Sequence, residues 1–81
     1  MQEFSGRTAV ITGGASGIGL GMARSFAKRG MHLVLADLDE ELLRAAEQEF
    51  SGAGVSVVSQ VCDASKLEDV ERLAEAAMDR F

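Results

Sequence analysis

Thr8-Ala9-Val10-Ile11-Thr12-Gly13-Gly14-Ala15-Ser16-Gly17-Ile18-Gly19 decides how this chain folds. A short run of β-branched and apolar residues breaks off at Thr12-Gly13, passes through small residues, and meets Gly17-Ile18-Gly19 at the head of a segment with helical spacing. A short buried strand over residues 8–11 that turns sharply into a helix leaves main-chain N–H groups unpaired and points the positive end of the helix dipole outward. Such a turn suits a phosphate. Glycine is common here, 9 among 81 residues, so the spacing alone is weak evidence and the context must carry it. Asp37 closes a second apolar run about 20 residues farther on, where a dinucleotide fold needs an acid to accept hydrogen bonds from the adenosine ribose hydroxyls. The turn is therefore expected to hold the diphosphate of a dinucleotide.

Working outward, residues 17–29 predict a helix with Ile18, Met22 and Phe26, and one step round Ala23 and Ala27, on its apolar face. Lys28 and Arg29 suit the dipole of its last turn, and Gly30 is placed to cap it. Residues 32–36 form a nearly continuous apolar run, as expected of a parallel strand covered on both faces. Asp39 starts a second helix with the stripe Leu42, Leu43, Ala46 and Phe50, a Glu40–Arg44 pair at i, i+4, and a stop at Ser51-Gly52. Residues 55–61 predict a third strand. Ser65-Lys66-Leu67-Glu68 has the spacing of a capping box. The helix after it is expected to bury Leu67, Val70, Leu73, Ala74, Ala77 and Phe81.

The order β-α-β-α-β-α with short connections demands parallel pairing through right-handed crossovers. That is an α/β, Rossmann-type doubly wound sheet, its first half only, with strand order 3-2-1. The far edge of the first strand stays open and the last helix has no strand to feed. Residues 1–81 are thus expected to be the N-terminal part of a single dinucleotide-binding domain, truncated from something longer.

Composition narrows the function. A chain this short buries only about 60% of its unfolded surface. Its 47% hydrophobic and 26% charged residues are ordinary for a globular protein. A net charge of −5 offers no basic patch for nucleic acid. No apolar run is long enough for a bilayer span, and the start of the chain lacks the pattern of a secretory signal. One cysteine, Cys62, fits a reducing cytoplasm, and no Cys/His cluster provides a metal site. There is no Tyr, and His32 is the single histidine, so a phenolic acid/base has no candidate here.

Gly13 allows the tight turn, while Gly17 and Gly19 let the helix start close to a ligand and pack closely on the sheet. Gly21 suits a crowded helix–strand contact. The hydroxyls of Thr12 and Ser16 serve either a local backbone bond or the ligand. Asp37 accepts two hydrogen bonds from NAD but repels the extra phosphate of NADP; alternatively it belongs to a turn with Asp39. Ser16 and Leu38 stand where a basic residue would have favoured NADP. Asp63, after the third strand, either accepts from the adenine amino group or supports the turn before Ser65. Cys62 is expected to be a small buried side chain and His32 a surface residue.

These motifs resemble the short-chain dehydrogenase/reductase family. Its cofactor pattern, Thr-Gly, three variable residues, Gly, one variable residue, Gly, is matched in full by Thr12-Gly13-Gly14-Ala15-Ser16-Gly17-Ile18-Gly19. Cys62-Asp63-Ala64-Ser65 is similar to the family's adenine-contacting segment. The resemblance implies that Gly13, Ser16, Ile18, Asp37, Asp63 and Ala64 line the cofactor, with Ala15, Gly17, Gly19 and Leu38 beside them, and that NAD is favoured over NADP. It also implies hydride transfer between an alcohol or carbonyl substrate and the cofactor, and a homo-oligomeric parent. The family's Asn-Asn-Ala-Gly segment, catalytic Ser and Tyr-x-x-x-Lys pair have no counterpart in these 81 residues, so no catalytic residue is assigned and the chain by itself is expected to be inactive.

Two other functions suit parts of the pattern. A short, non-catalytic module could bind a nucleotide or pair through the open edge of its first strand. A methyl-donor-binding Rossmann domain also uses glycines after the first strand, but it usually carries a carboxylate where this chain has Thr12. A P-loop is excluded, because no Gly-Lys-[Ser/Thr] follows the glycines.

Overall fold

A computed structural model describes residues 6–81; the start of the chain read for a secretory signal lies mostly outside them. The elements run β1 (Thr8–Thr12), α1 (Gly17–Lys28), β2 (His32–Asp37), α2 (Glu40–Gly52), β3 (Val57–Val61) and α3 (Leu67–Arg80). All three strands are parallel, with β2 between β1 and β3, which is the expected 3-2-1 order. Leu33, Val34, Leu35 and Ala36 are buried on both faces of β2, as its unbroken apolar run requires.

Alternation of side chains across the sheet divides the core in two. Ala9, Ile11, Leu33, Leu35 and Val57 face Ala23 of α1 and Leu43, Ala46 and Phe50 of α2. Val34, Ala36 and Cys62 face Leu73 of α3 on the other side. Helices therefore cover both faces, but unequally. Nothing among the described residues lies over the outer side of β1, where Val10 is 51% exposed.

That imbalance corrects several expectations. β1 alternates buried and exposed residues and is not buried throughout. On α1, Ala23 is the buried residue; Ile18 and Met22 line an open groove along β1 with Val10 and Phe26. Leu42 of α2 is exposed. On α3 only Leu73 is buried, while Leu67, Val70, Ala74 and Phe81 are exposed and Ala77 is half-buried. A stripe with helical spacing shows which way a helix leans, and a single packed helix–sheet contact is too narrow to cover all of it.

Both expected helix stops exist, one of them shifted. At the end of α1, Gly30 N–H donates to Ala27 O and Met31 N–H to Phe26 O, the paired bonds of a Schellman cap. α2 runs through Gly52, and the same pair forms from Gly54 to Ser51 and from Val55 to Phe50. Gly21 is not crowded: a Cβ there would meet nothing within 4 Å. His32 is not a plain surface residue either. It is half-buried and stacks on Phe81, with ring centroids 4.7 Å apart and planes within 6°.

Candidate functional site

The strands end nearly level. Thr12 sits beside Ala36, and Asp37 beside Val61, so the segments leaving β1, β2 and β3 emerge along one edge of the sheet. Loop 13–16 folds back over that edge. Its anchor is Gly14, whose N–H donates to Ala36 O at 3.1 Å. A Cβ on buried Gly14 would stand 3.0 Å from both the Ile11 carbonyl oxygen and Leu35 Cδ2. Gly14 was not among the expected site residues. The signal was the pair of consecutive glycines after Thr12.

Two neighbouring glycines shape the other side of the loop. Gly13 and Gly17 have φ of +67° and +56°, a region that costs an ordinary L-residue about 1–2 kcal/mol. A Cβ on either would meet nothing within 4 Å, so both border free space in front of the loop. Gly19 is constrained by crowding instead. A Cβ there would stand 2.0 Å from the Gly13 carbonyl oxygen, so α1 begins directly against the loop's own backbone.

This geometry leaves donors without a hydrogen-bond partner among the described residues. Ser16 is the N-cap, with an extended backbone and no side-chain capping bond. The first intrahelical bond runs from Leu20 N–H to Ser16 O at 3.2 Å. The amides of Gly17, Ile18 and Gly19 precede it and have no helical carbonyl to reach. No acidic side chain in the first turn offsets the positive end of the dipole. Ile18 stands 85% exposed at this helix start, and Thr12 is also exposed. Ala15 contributes only backbone here, because its methyl is buried in the core.

Asp37 closes one flank. Its Oδ2 accepts from Ala15 N–H at 3.3 Å and its Oδ1 from Asp39 N–H at 3.1 Å. The turn with Asp39 considered from sequence is thus real, and the carboxylate also touches the glycine loop. Asp39 in turn caps α2 by accepting from Leu42 N–H at 3.1 Å. Leu38, 67% exposed, lies beside this carboxylate. Cys62 N–H donates to Asp37 O at 3.0 Å and so brings the segment after β3 to the same edge.

That segment is braced by carboxylates. Asp63 Oδ1 accepts from the Ser65 hydroxyl at 2.6 Å and from Ser65 N–H at 2.9 Å, and these bonds hold the Asp63 carboxyl below the usual aspartate range. Supporting the turn before Ser65 is therefore a role Asp63 does fill; exposed Ala64 lies within that turn. The expected capping box does not form. Ser65 is engaged by Asp63, and Lys66 becomes the N-cap with no side-chain bond. Asp69 reaches back instead, its Oδ2 accepting from Asp63 N–H at 2.9 Å. That backbone bond, with Arg72 alongside, lowers the Asp69 pKa. Cys62 is buried as expected, and burial pushes its thiol up, with the Asp69 and Asp63 carboxylates adding to the shift.

The donor set fits a dinucleotide: free space in front of Gly13 and Gly17, unpaired first-turn amides, and an oriented carboxylate at the end of β2. Among the described residues no group of His, Cys, Asp or Glu could hold a metal ion, and no helix is long and apolar enough to cross a membrane.

Comparison with known proteins agrees with this geometry. The chain is 42% identical over 75 residues to the 1-deoxy-11-beta-hydroxypentalenate dehydrogenase of Streptomyces exfoliatus, covering 93% of this chain and 27% of that protein. It is 42% identical over 79 residues to the L-fucose dehydrogenase of Oryctolagus cuniculus, covering 98% and 26%. Among solved structures, a short chain dehydrogenase/reductase from Burkholderia phymatum in complex with NAD superposes with a TM-score of 0.97 at 43% identity, over 100% of this chain and 29% of the other. The chain thus spans little more than a quarter of the length of these relatives. The family model for short chain dehydrogenases matches residues 7–81, and this chain belongs to that family.

Proposed function

We propose that this chain is the N-terminal part of a single NAD-binding domain, in an oxidoreductase that interconverts alcohols and carbonyls. The observation that carries this reading is the loop over the sheet edge, with three unpaired amides and Asp37 fixed at its flank. The NAD complex of the Burkholderia relative, at 43% identity, supports it. The amides of Gly17, Ile18 and Gly19 would hold the diphosphate, and Gly13 leaves the room it needs. Asp37 would accept from the adenosine ribose hydroxyls. Asp63 and Ala64 would meet the adenine, with Ser16, Ile18 and Leu38 lining the approach. NAD held there would supply hydride exchange with an alcohol or carbonyl carbon. The acid/base partner of that step lies outside these residues, which include no Tyr. A single free thiol suits a cytoplasmic setting.

NAD is preferred over NADP in this reading because the Asp37 carboxylate opposes a 2′-phosphate, while Ser16 and Leu38 offer it no cation. Titration calorimetry on the full chain tests the preference. NAD should bind about tenfold or more tightly than NADP, and Asp37→Ala should weaken NAD by a similar factor, as expected for lost bonds to a charged acceptor. Equal affinity for the two coenzymes would overturn the preference.

A further inference from the structure

Asp37 makes two contacts that a ribose acceptor does not need. One carboxylate oxygen holds the amide of Ala15 across 22 positions of sequence, and the other holds the amide of Asp39 in the turn that opens α2. The first of these bonds joins the end of β2 to the middle of the glycine loop. Among the described residues, the other backbone tie of loop 13–16 to β2 is Gly14 N–H to Ala36 O. Ala15 is also the last residue before the N-cap, Ser16, from which the unpaired amides of α1 follow. A carboxylate has about four lone-pair sites, so accepting two amides leaves two for a ligand.

We propose that Asp37 is a positioning residue for the diphosphate loop: through Ala15 it fixes the loop whose following amides meet the ligand. This deepens the dinucleotide reading and rests on it, but it separates two jobs of one side chain. A ribose acceptor matters only to a ligand with ribose hydroxyls. A loop tether matters to any ligand that uses the loop.

The probe that separates them is 2′,3′-dideoxy-ADP, which keeps the diphosphate and lacks both hydroxyls, measured beside ADP by calorimetry on the full chain. Asp37→Ala should weaken dideoxy-ADP about fivefold, the scale of one lost hydrogen bond, and ADP by more. Charge cannot produce that result, because removing a carboxylate near an anionic ligand acts in the opposite direction. Unchanged or tighter dideoxy-ADP binding in Asp37→Ala overturns the proposal.

Amide hydrogen exchange without ligand reads the tether directly. Exchange at Ala15 should quicken in Asp37→Ala and also in Asp37→Asn, whose one amide oxygen stays with the local Asp39 bond. Exchange at Val34 and Leu35 should remain slow. Ala15 exchange that is unchanged in both variants, or that rises only in step with Val34 and Leu35, overturns the tether. If wild type binds neither ADP nor the dideoxy probe, the dinucleotide reading fails, and the exchange of Ala15 still decides whether Asp37 holds the loop.

Discussion

At the scale of single residues, the loop is governed by what cannot be placed in it. Gly19 shows this most sharply. The Gly13 carbonyl occupies the place where a methyl would stand, and backbone on both sides leaves no flexible side chain to move aside. Gly19→Ala must therefore displace either the loop or the first turn of α1, spoiling the alignment of the amides at Gly17 and Ile18. We expect NAD affinity in this variant to fall about tenfold or more, read by calorimetry, while the far-ultraviolet dichroism stays near wild type. Gly21→Ala makes the control. Its Cβ meets open space, and Ala is favoured over Gly within a helix by about 1 kcal/mol, so urea denaturation should show it as stable as wild type or more so.

Among the elements, α3 shows how a helix start depends on its surroundings. Ser65 has the right offset to cap, yet its hydroxyl is taken by Asp63, and the carboxylate that reaches back belongs to Asp69. Both carboxyls are held below their ordinary value, Asp63 by Ser65 and Asp69 chiefly by the Asp63 amide. A carboxyl with a lower pKa in the folded state contributes stability above its unfolded pKa, about 3.9 for Asp, and loses it as pH falls through the lower folded value. The urea midpoint should therefore hold steady from neutral pH to about 5 and decline below about 4. Asp69→Asn should lower the plateau and flatten the decline. An unaltered acid limb in that variant would remove Asp69 from the account.

For the whole molecule, burial is lopsided. The centre of the sheet is sealed from both sides, while the outer side of β1 and the adjoining face of α1 carry exposed apolar residues. The same class of substitution should thus have opposite consequences a few residues apart. Leu35→Ala empties a site that is 0% exposed and should cost about 2–5 kcal/mol. Ile18→Ala, at 85% exposed, should change stability by no more than about 0.5 kcal/mol, although it alters the approach to the loop. Urea denaturation of both variants checks the contrast.

From the sequence alone came the order of elements, the parallel sheet with β2 at its centre, and the strand-to-helix loop after β1. These follow from local rules: β-branched runs extend, apolar spacing coils, and a Thr-Gly-Gly turn set between an apolar run and a segment of helical spacing favours a bend into a helix. The family was legible for the same reason, since the cofactor pattern is itself a local string. What needed the folded chain was everything settled by competition between distant groups. Ser65 lost its cap to Asp63, Asp37 gained Ala15 as a partner, and Ile18 and Met22 stayed exposed despite their spacing. A sequence states which contacts each residue is able to make. Only packing decides which of them it is close enough to keep.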